Sequence, residues 1–267
     1  MSRGRWPLLG VVALVVTLVV ALVACGRGRS GQPAARQAPP VAVEGAGATA
    51  LTLAVRRAAE GTSWKSPTAE DWNGVPSTSL LLNRTPPSFA TDPAPTTATP
   101  AAEVRAVTTG STLYVRLRWD DPTEERWSGP TVKAYAKDPI YKKPTTRPAG
   151  FYDGAAVMVP RGGIWRSRFP SLVMGDAEAP VTIYFWRHGD QPQVLSGLGR
   201  GTVSPEPGKT FEATVAREAG AWVAVFVLPA PADPQTPLAF GLWDGGQAQR
   251  NGDKFFSPWY RPAGPPR

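Results

Sequence analysis

Short apolar runs bounded by Gly, Pro, Asp or Ser set the pattern of this chain from residue 50 to residue 243. Ala50–Arg56 alternates in character and predicts a first strand, because successive side chains of a strand point to opposite faces. Ser79–Leu82 is apolar enough for a second, shorter one. Glu103–Val107 and Thr112–Trp119 flank Thr108-Thr-Gly-Ser111 and predict a hairpin. In its second arm Arg116 and Arg118 alternate with Val115, Leu117 and Trp119, giving one wet face and one buried face. Further strands are predicted at Ala155–Val159, Val181–Trp186, Phe211–Val215, Trp222–Val227 and Leu238–Trp243. Turn signals at Glu218-Ala-Gly220 and Asp244-Gly-Gly246 punctuate the last of these. Between the strands lie a turn-rich stretch, Thr62–Val75, a Pro/Thr/Ala connection, Ser88–Ala102, and a polar excursion, Asp120–Lys143, carrying Lys133, Lys137, Lys142 and Lys143. Short, regularly spaced strands separated by turns predict an all-β fold: one antiparallel β-sandwich domain with long loops over residues 50–267.

Composition sharpens that reading. Pro (30) and Gly (27) make up about a fifth of the 267 residues, well above average usage, and each opposes a helix interior. The single Cys and single His exclude a thiolate- or imidazole-built zinc site, an iron–sulfur cluster and a disulfide framework. The absence of CxxCH excludes covalent haem attachment.

The N-terminus predicts export. Arg3 and Arg5 precede Pro7–Ala24, an uncharged run that suits a signal-peptide core or a membrane anchor over residues 1–24. The run ends in Leu22-Val23-Ala24-Cys25, which resembles a bacterial lipobox and marks Cys25 for lipidation; an uncleaved helix anchor and a simple cleaved signal are the alternatives. Residues 25–49 are Pro/Gly/Ala-rich without aromatics and predict a lipidated Cys followed by a flexible linker. Each reading puts the domain on the extracytoplasmic face of the cell membrane. The net charge is +8, and loss of residues 1–24 removes two Arg and leaves +6. That suits solubility or an acidic partner protein, and without a basic-aromatic module it predicts no nucleic-acid binding.

Candidate chemistry is sparse. His188, in Trp186-Arg-His-Gly189, reads as a lone surface imidazole, and there is no GxSxG, P-loop or GxGxxG after a strand. Asp120-Asp121 and Glu124-Glu125 form an acidic run that suits paired-acid chemistry, a hard cation or, most simply, a solvated turn. Met158 reads as core. Met174 stands in a loop before a strand, where a thioether serves either as packing or as a soft ligand.

Several segments resemble, in order, the haem-b-binding gamma subunits of ethylbenzene dehydrogenase, dimethylsulfide dehydrogenase, selenate reductase and chlorate reductase. They are Tyr114-Val-Arg-Leu-Arg-Trp-Asp120, Phe151-Tyr-Asp-Gly-Ala-Ala156, Met174-Gly with Pro180-Val-Thr-Ile, Phe240-Gly-Leu-Trp-Asp-Gly245 and Arg250-Asn-Gly-Asp-Lys254 followed by Ser257 and Trp259. The resemblance spans roughly residues 50–262. It implies a β-sandwich holding one non-covalent haem b per chain, with Met174 and Lys254 as axial ligands of the iron. Phe255, Phe256, Trp243 and Trp259 would then form a dry wall; Arg250 and Lys209 suit the propionates by charge alone.

The resemblance further implies an electron-transfer subunit without its own substrate site, serving a respiratory oxidoreductase with molybdenum and iron–sulfur subunits. Its anchor and tether depart from the periplasmic pattern of that family and point to a membrane-bound carrier. From the residues alone, a lipoprotein β-sandwich binding a carbohydrate or partner protein, with Lys254 a solvent-exposed turn residue, remains open. So does a haem site with one open position.

Overall fold

The predicted hairpin is the centre of the first sheet: β4 (Ala102–Thr109) and β5 (Thr112–Asp120) pair antiparallel with Val104 opposite Leu117. The computed structural model describes residues 50–59, 64–86, 99–127, 130–131, 147–148 and 151–263. The signal or anchor (1–24), Cys25 and the linker to residue 49 lie outside these residues, as do most of the Pro/Thr/Ala connection and the four lysines of the polar excursion.

Preceding the hairpin are β1 (Leu51–Arg57), β2 (Thr78–Ser79) and β3 (Asn83–Arg84). After it come β6 (Pro130–Thr131), β7 (Arg147–Pro148), β8 (Gly154–Pro160), β9 (Val181–Arg187), β10 (Gln193–Gly197) and β11 (Ser204–Pro205). The remainder are β12 (Glu212–Glu218), β13 (Ala221–Pro229), β14 (Ala239–Trp243), β15 (Phe255–Phe256) and β16 (Tyr260–Ala263). One sheet has the order β12-β13-β5-β4-β1-β16 with β2 on β4; the other runs β11-β10-β9-β8-β14-β15-β3. Strands β6 and β7 pair separately. Among the described residues no helix is long and apolar enough to cross a membrane.

Two expectations need correction. The sandwich is not purely antiparallel, because β1 runs parallel to both of its neighbours, with Val55 beside Ala106 and Leu51 beside Tyr260. A gap between β4 and the C-terminal strand is filled by the first strand of the chain, and strand alternation carries no information on direction. Ser79–Leu82 is not a strand either. The chain pairs with β4 through Thr78–Ser79, then crosses to the other sheet, where Asn83–Arg84 pairs with β15. Leu80 and Leu82 reach the core on the way while Leu81 stays exposed.

The core between the sheets follows the alternation. Leu113, Val115, Leu117 and Trp119 of β5 meet Ala155, Val157, Phe240 and Leu242 of the second sheet. Burial on this scale is the main stabilising term, at roughly 25 cal/mol per Å² of apolar surface.

The second sheet is also apolar on its outer side. Ala156, Met158, Val181, Ile183, Phe185, Ala239 and Trp243 form a separate cluster there. It is roofed by the 161–180 loop and by the segment that carries Trp259.

Candidate functional site

The roof is tied down by specific bonds. Trp259 Nε1 donates to Pro170 O at 2.9 Å from a buried position, and Phe169 stacks on the Trp259 ring at 6.3 Å between centroids. Arg168 grips Asp176 with two bonds of 3.0 and 2.7 Å, and Asp176 Oδ1 accepts from Ala179 N at 2.9 Å. The Arg168 bonds hold the Asp176 carboxyl well below the usual carboxylate range.

Met174 sits in this loop, packed against the cluster. Its φ is 63°, a left-handed conformation disfavoured by about 1–2 kcal/mol for a residue with a Cβ. Three glycines make room for it. Gly175 N donates to Ser171 O at 2.8 Å, and Gly199 N donates to Met174 O at 2.9 Å. Gly197 lies so near that a Cβ there would stand 2.6 Å from Met174 O. Strain held in place by surrounding structure is the usual mark of a functional position.

Lys254 borders the same cluster at Trp243. It immediately precedes β15, so alternation puts Lys254 and Phe256 on one face and Phe255 on the other. Thr85 clamps its backbone, donating N to Lys254 O at 2.9 Å and accepting from Lys254 N at 3.3 Å. The preceding turn is pinned by Trp243 Nε1, which donates to Asn251 O at 3.0 Å, and by Tyr152 Oη, which accepts from Asn251 N at 3.0 Å. The lysine stem lies over Gly241, where a Cβ would meet Lys254 Cδ at 3.5 Å, and Nζ stands 5.5 Å from the Trp243 ring centroid.

Lys254 is half-buried, and among the described residues its amine has no hydrogen bond or ion pair. Burial lowers its pKa to about 8, so the neutral form, whose nitrogen lone pair can bind a metal, is far more accessible than in a free lysine. The donor set therefore suits haem iron: an amine without a hydrogen bond or ion pair among the described residues and a thioether border one aromatic cluster.

Three residues singled out in the sequence are placed as follows. Phe255 is fully buried in the core between the sheets, whereas Trp243 and Trp259 belong to the cluster on the outer side of the second sheet. Lys209 pairs with Glu206 at 2.6 Å. His188 is half-buried rather than a surface group, 5.1 Å from the Trp222 ring, with Nε2 3.4 Å from Glu124. Arg250 lies over the Phe151 ring at 5.0 Å. Tyr152, Phe185 and Phe169 belong to the cluster unannounced by sequence; the alternation of β9 was the available signal for Phe185.

The chain is similar to several known proteins. A relative named as a respiratory nitrate reductase heme subunit of Haloferax mediterranei is 30% identical over 96% of this chain and 85% of its own. The chlorate reductase subunit gamma of Ideonella dechloratans is 28% identical over 71% of this chain and 74% of its own. The dimethylsulfide dehydrogenase subunit gamma of Rhodovulum sulfidophilum is 29% identical over 58% and 56%. The family profile described as ethylbenzene dehydrogenase matches residues 57–226, which include Met174 and stop short of Lys254. With most of the sandwich matched and the longest of these similarities running through the Lys254 turn as well, the chain belongs to the ethylbenzene dehydrogenase family.

Proposed function

We propose that this chain is the haem-carrying electron-transfer subunit of a respiratory oxidoreductase complex, with one non-covalent haem b ligated by Met174 and Lys254. The carrying observation is the half-buried Lys254 amine, without a hydrogen bond or ion pair among the described residues, bordering the same aromatic cluster as a strained, clamped Met174. The names of the relatives support a heme or gamma subunit of such a complex.

When bound, the haem supplies a one-electron couple between ferric and ferrous iron. The chain's residues do the rest. Lys254 delivers a nitrogen from a site whose desolvation already disfavours the ammonium. Met174 supplies a soft thioether, which raises the potential relative to two nitrogen ligands. Trp243 and Trp259 exclude water from the face between them. With Met174 and Lys254 both committed to the haem, the chain would offer no substrate site of its own, and its partners would be the catalytic and relay subunits of the complex, molybdenum and iron–sulfur proteins in the family pattern. Residues 1–24 serve as signal or anchor, and residues 25–49, starting at Cys25, as lipid attachment and tether for the 50–267 domain on the extracytoplasmic membrane face.

The test is the absorption spectrum of the full chain loaded with haem, oxidised and reduced, with a pyridine haemochrome on the same sample. Sharp reduced α and β bands of a low-spin b-type haem are expected, with loss of haem or conversion to a five-coordinate spectrum in Met174→Ala and in Lys254→Ala. A colourless, folded protein overturns the reading in favour of a carbohydrate- or protein-binding sandwich. An unchanged low-spin spectrum in both variants overturns the ligand assignment.

A further inference from the structure

At one end of the sandwich, four carboxylates from three segments converge. Asp121 follows β5 in the first sheet, Glu125 lies four residues on, Asp153 precedes β8, and Asp244 follows β14 in the second sheet. One oxygen from each lies within 4.8 Å of the other three. This is not the solvated turn that the acidic run suggested, since Asp121 and Asp153 are 0% exposed and Asp244 is 5% exposed.

The surrounding hydrogen bonds favour the charged forms. Asp153 Oδ1 accepts from Gly245 N at 2.9 Å, and its Oδ2 accepts from Glu125 N at 2.7 Å and Trp222 Nε1 at 3.2 Å. Asp244 accepts from Gln247 N at 3.0 Å and Gln247 Nε2 at 2.7 Å. Asp121 Oδ1 accepts from Thr123 N at 3.0 Å and Thr123 Oγ1 at 3.2 Å. Donors aimed at carboxylates stabilise the anion.

Among the described residues, no Lys, Arg or His forms an ion pair with any of the four. Asp121 Oδ2 is buried without any hydrogen-bond partner, and Asp121 contributes one of its oxygens to the convergent set. Glycines close the site. The Asp244-Gly245-Gly246 turn lies so near the 121–125 loop that a Cβ on Gly245 would collide with Glu125, and one on Gly246 with Thr123 Oγ1.

We propose that Asp121, Glu125, Asp153 and Asp244 bind one hard divalent cation of the calcium class, which clamps the ends of the two sheets together. An all-oxygen donor set without nitrogen or sulfur suits calcium, which takes six to eight oxygens at about 2.3–2.6 Å, and disfavours zinc. The orphaned Asp121 oxygen is a ready ligand. The ligands also touch the other site through the chain: Tyr152 and Trp243, both in the outer cluster, are the immediate neighbours of Asp153 and Asp244.

The test uses the purified full chain stripped with EGTA, then given CaCl2, with metal content and thermal unfolding as readouts independent of haem. One calcium per chain is expected, with a rise in Tm of about 5–10 °C at calcium a hundredfold above its dissociation constant. Asp121→Asn abolishes both responses. Should that variant fail to fold, Glu125→Gln, at a half-buried position, carries the test by weakening calcium binding about tenfold. If the stripped wild-type chain takes up no calcium and its Tm does not move, or if both variants respond like wild type, the carboxylates share protons instead and the proposal is overturned.

Discussion

The two sheets share one core but present very different outer faces. On the first, Arg105 and Arg116 stand out from the alternating strands, and their guanidinium groups secure loop carbonyls: Arg105 Nη1 to Trp72 O at 2.6 Å and Arg116 Nε to Pro67 O at 2.7 Å. Trp64 and Trp72 pack edge to face at 5.2 Å and cover Val107 and Val225 beside them. On the second sheet the outer face is apolar throughout its centre, floored by small residues such as Ala156 and Ala239 and roofed by the Met174 loop. A sandwich needs only one buried face per sheet. The first sheet's cover completes its packing and leaves its cations hydrogen-bonded. The second brings a strained methionine and an amine without a hydrogen bond or ion pair among the described residues to one apolar surface, which packing alone does not require.

The sharpest way to break this contrast is to remove one large aromatic from each cover. Trp243→Ala and Trp72→Ala each delete a buried indole and should each lower stability by about 3–5 kcal/mol in urea unfolding. Only Trp243→Ala should also lose haem absorbance after loading; equal loss in Trp72→Ala would erase the functional distinction between the faces.

A smaller effect separates the two loops. Gly197→Ala places a Cβ against the Met174 carbonyl and Val181, both backed by packed structure, and should cost about 1–3 kcal/mol and perturb the haem spectrum. Gly74→Ala, beneath the other face, meets only the flexible end of Arg56 at 3.0 Å and should change stability by no more than about 0.5 kcal/mol. Comparable destabilisation by both variants would show that the Met174 loop is no more constrained than its counterpart.

The smallest effect is electrostatic and confined to the first face. Burial alone would raise the Glu103 carboxyl, but the Ser77 hydroxyl and the charges of Arg105, Arg116 and Arg118 outweigh it and hold the pKa below the ordinary value. A depressed folded-state pKa stabilises above the unfolded-state pKa of about 4.3 and ceases to do so as pH falls through the folded value. Glu103→Gln should therefore cost about 0.5–1 kcal/mol at pH 7 and nothing measurable once the wild-type carboxyl is protonated, as read from urea midpoints across pH. A pH-independent difference would assign the loss to packing.

How much of this was legible in sequence differs by residue. Strands β4, β5, β8, β9, β13 and β14 were readable because their apolar runs or alternation match burial on one or both faces. Strand β10, with its polar Gln193 and Ser196, carries too weak a pattern, and the two-residue β15 is too short to have one. Met174 and Lys254 were reached through collinear family motifs rather than periodicity, since each lies outside a strand. Phe255 was misplaced because adjacent aromatics look alike in a motif, while one-residue alternation sends them to opposite sides of a sheet.

By itself the sequence determined the all-β class, the principal strands and which of their side chains face a core, because burial of alternating apolar positions is a local code. It also determined the ligand inventory, since one Cys and one His leave little besides thioether, amine and carboxylate. Only the tertiary structure decided that β1 runs parallel, that the second sheet is buried on both faces, and that Asp121, Glu125, Asp153 and Asp244 meet at one point. Each of these depends on which distant segments become neighbours. That choice rests on the summed packing of two sheets, and no window of sequence contains it.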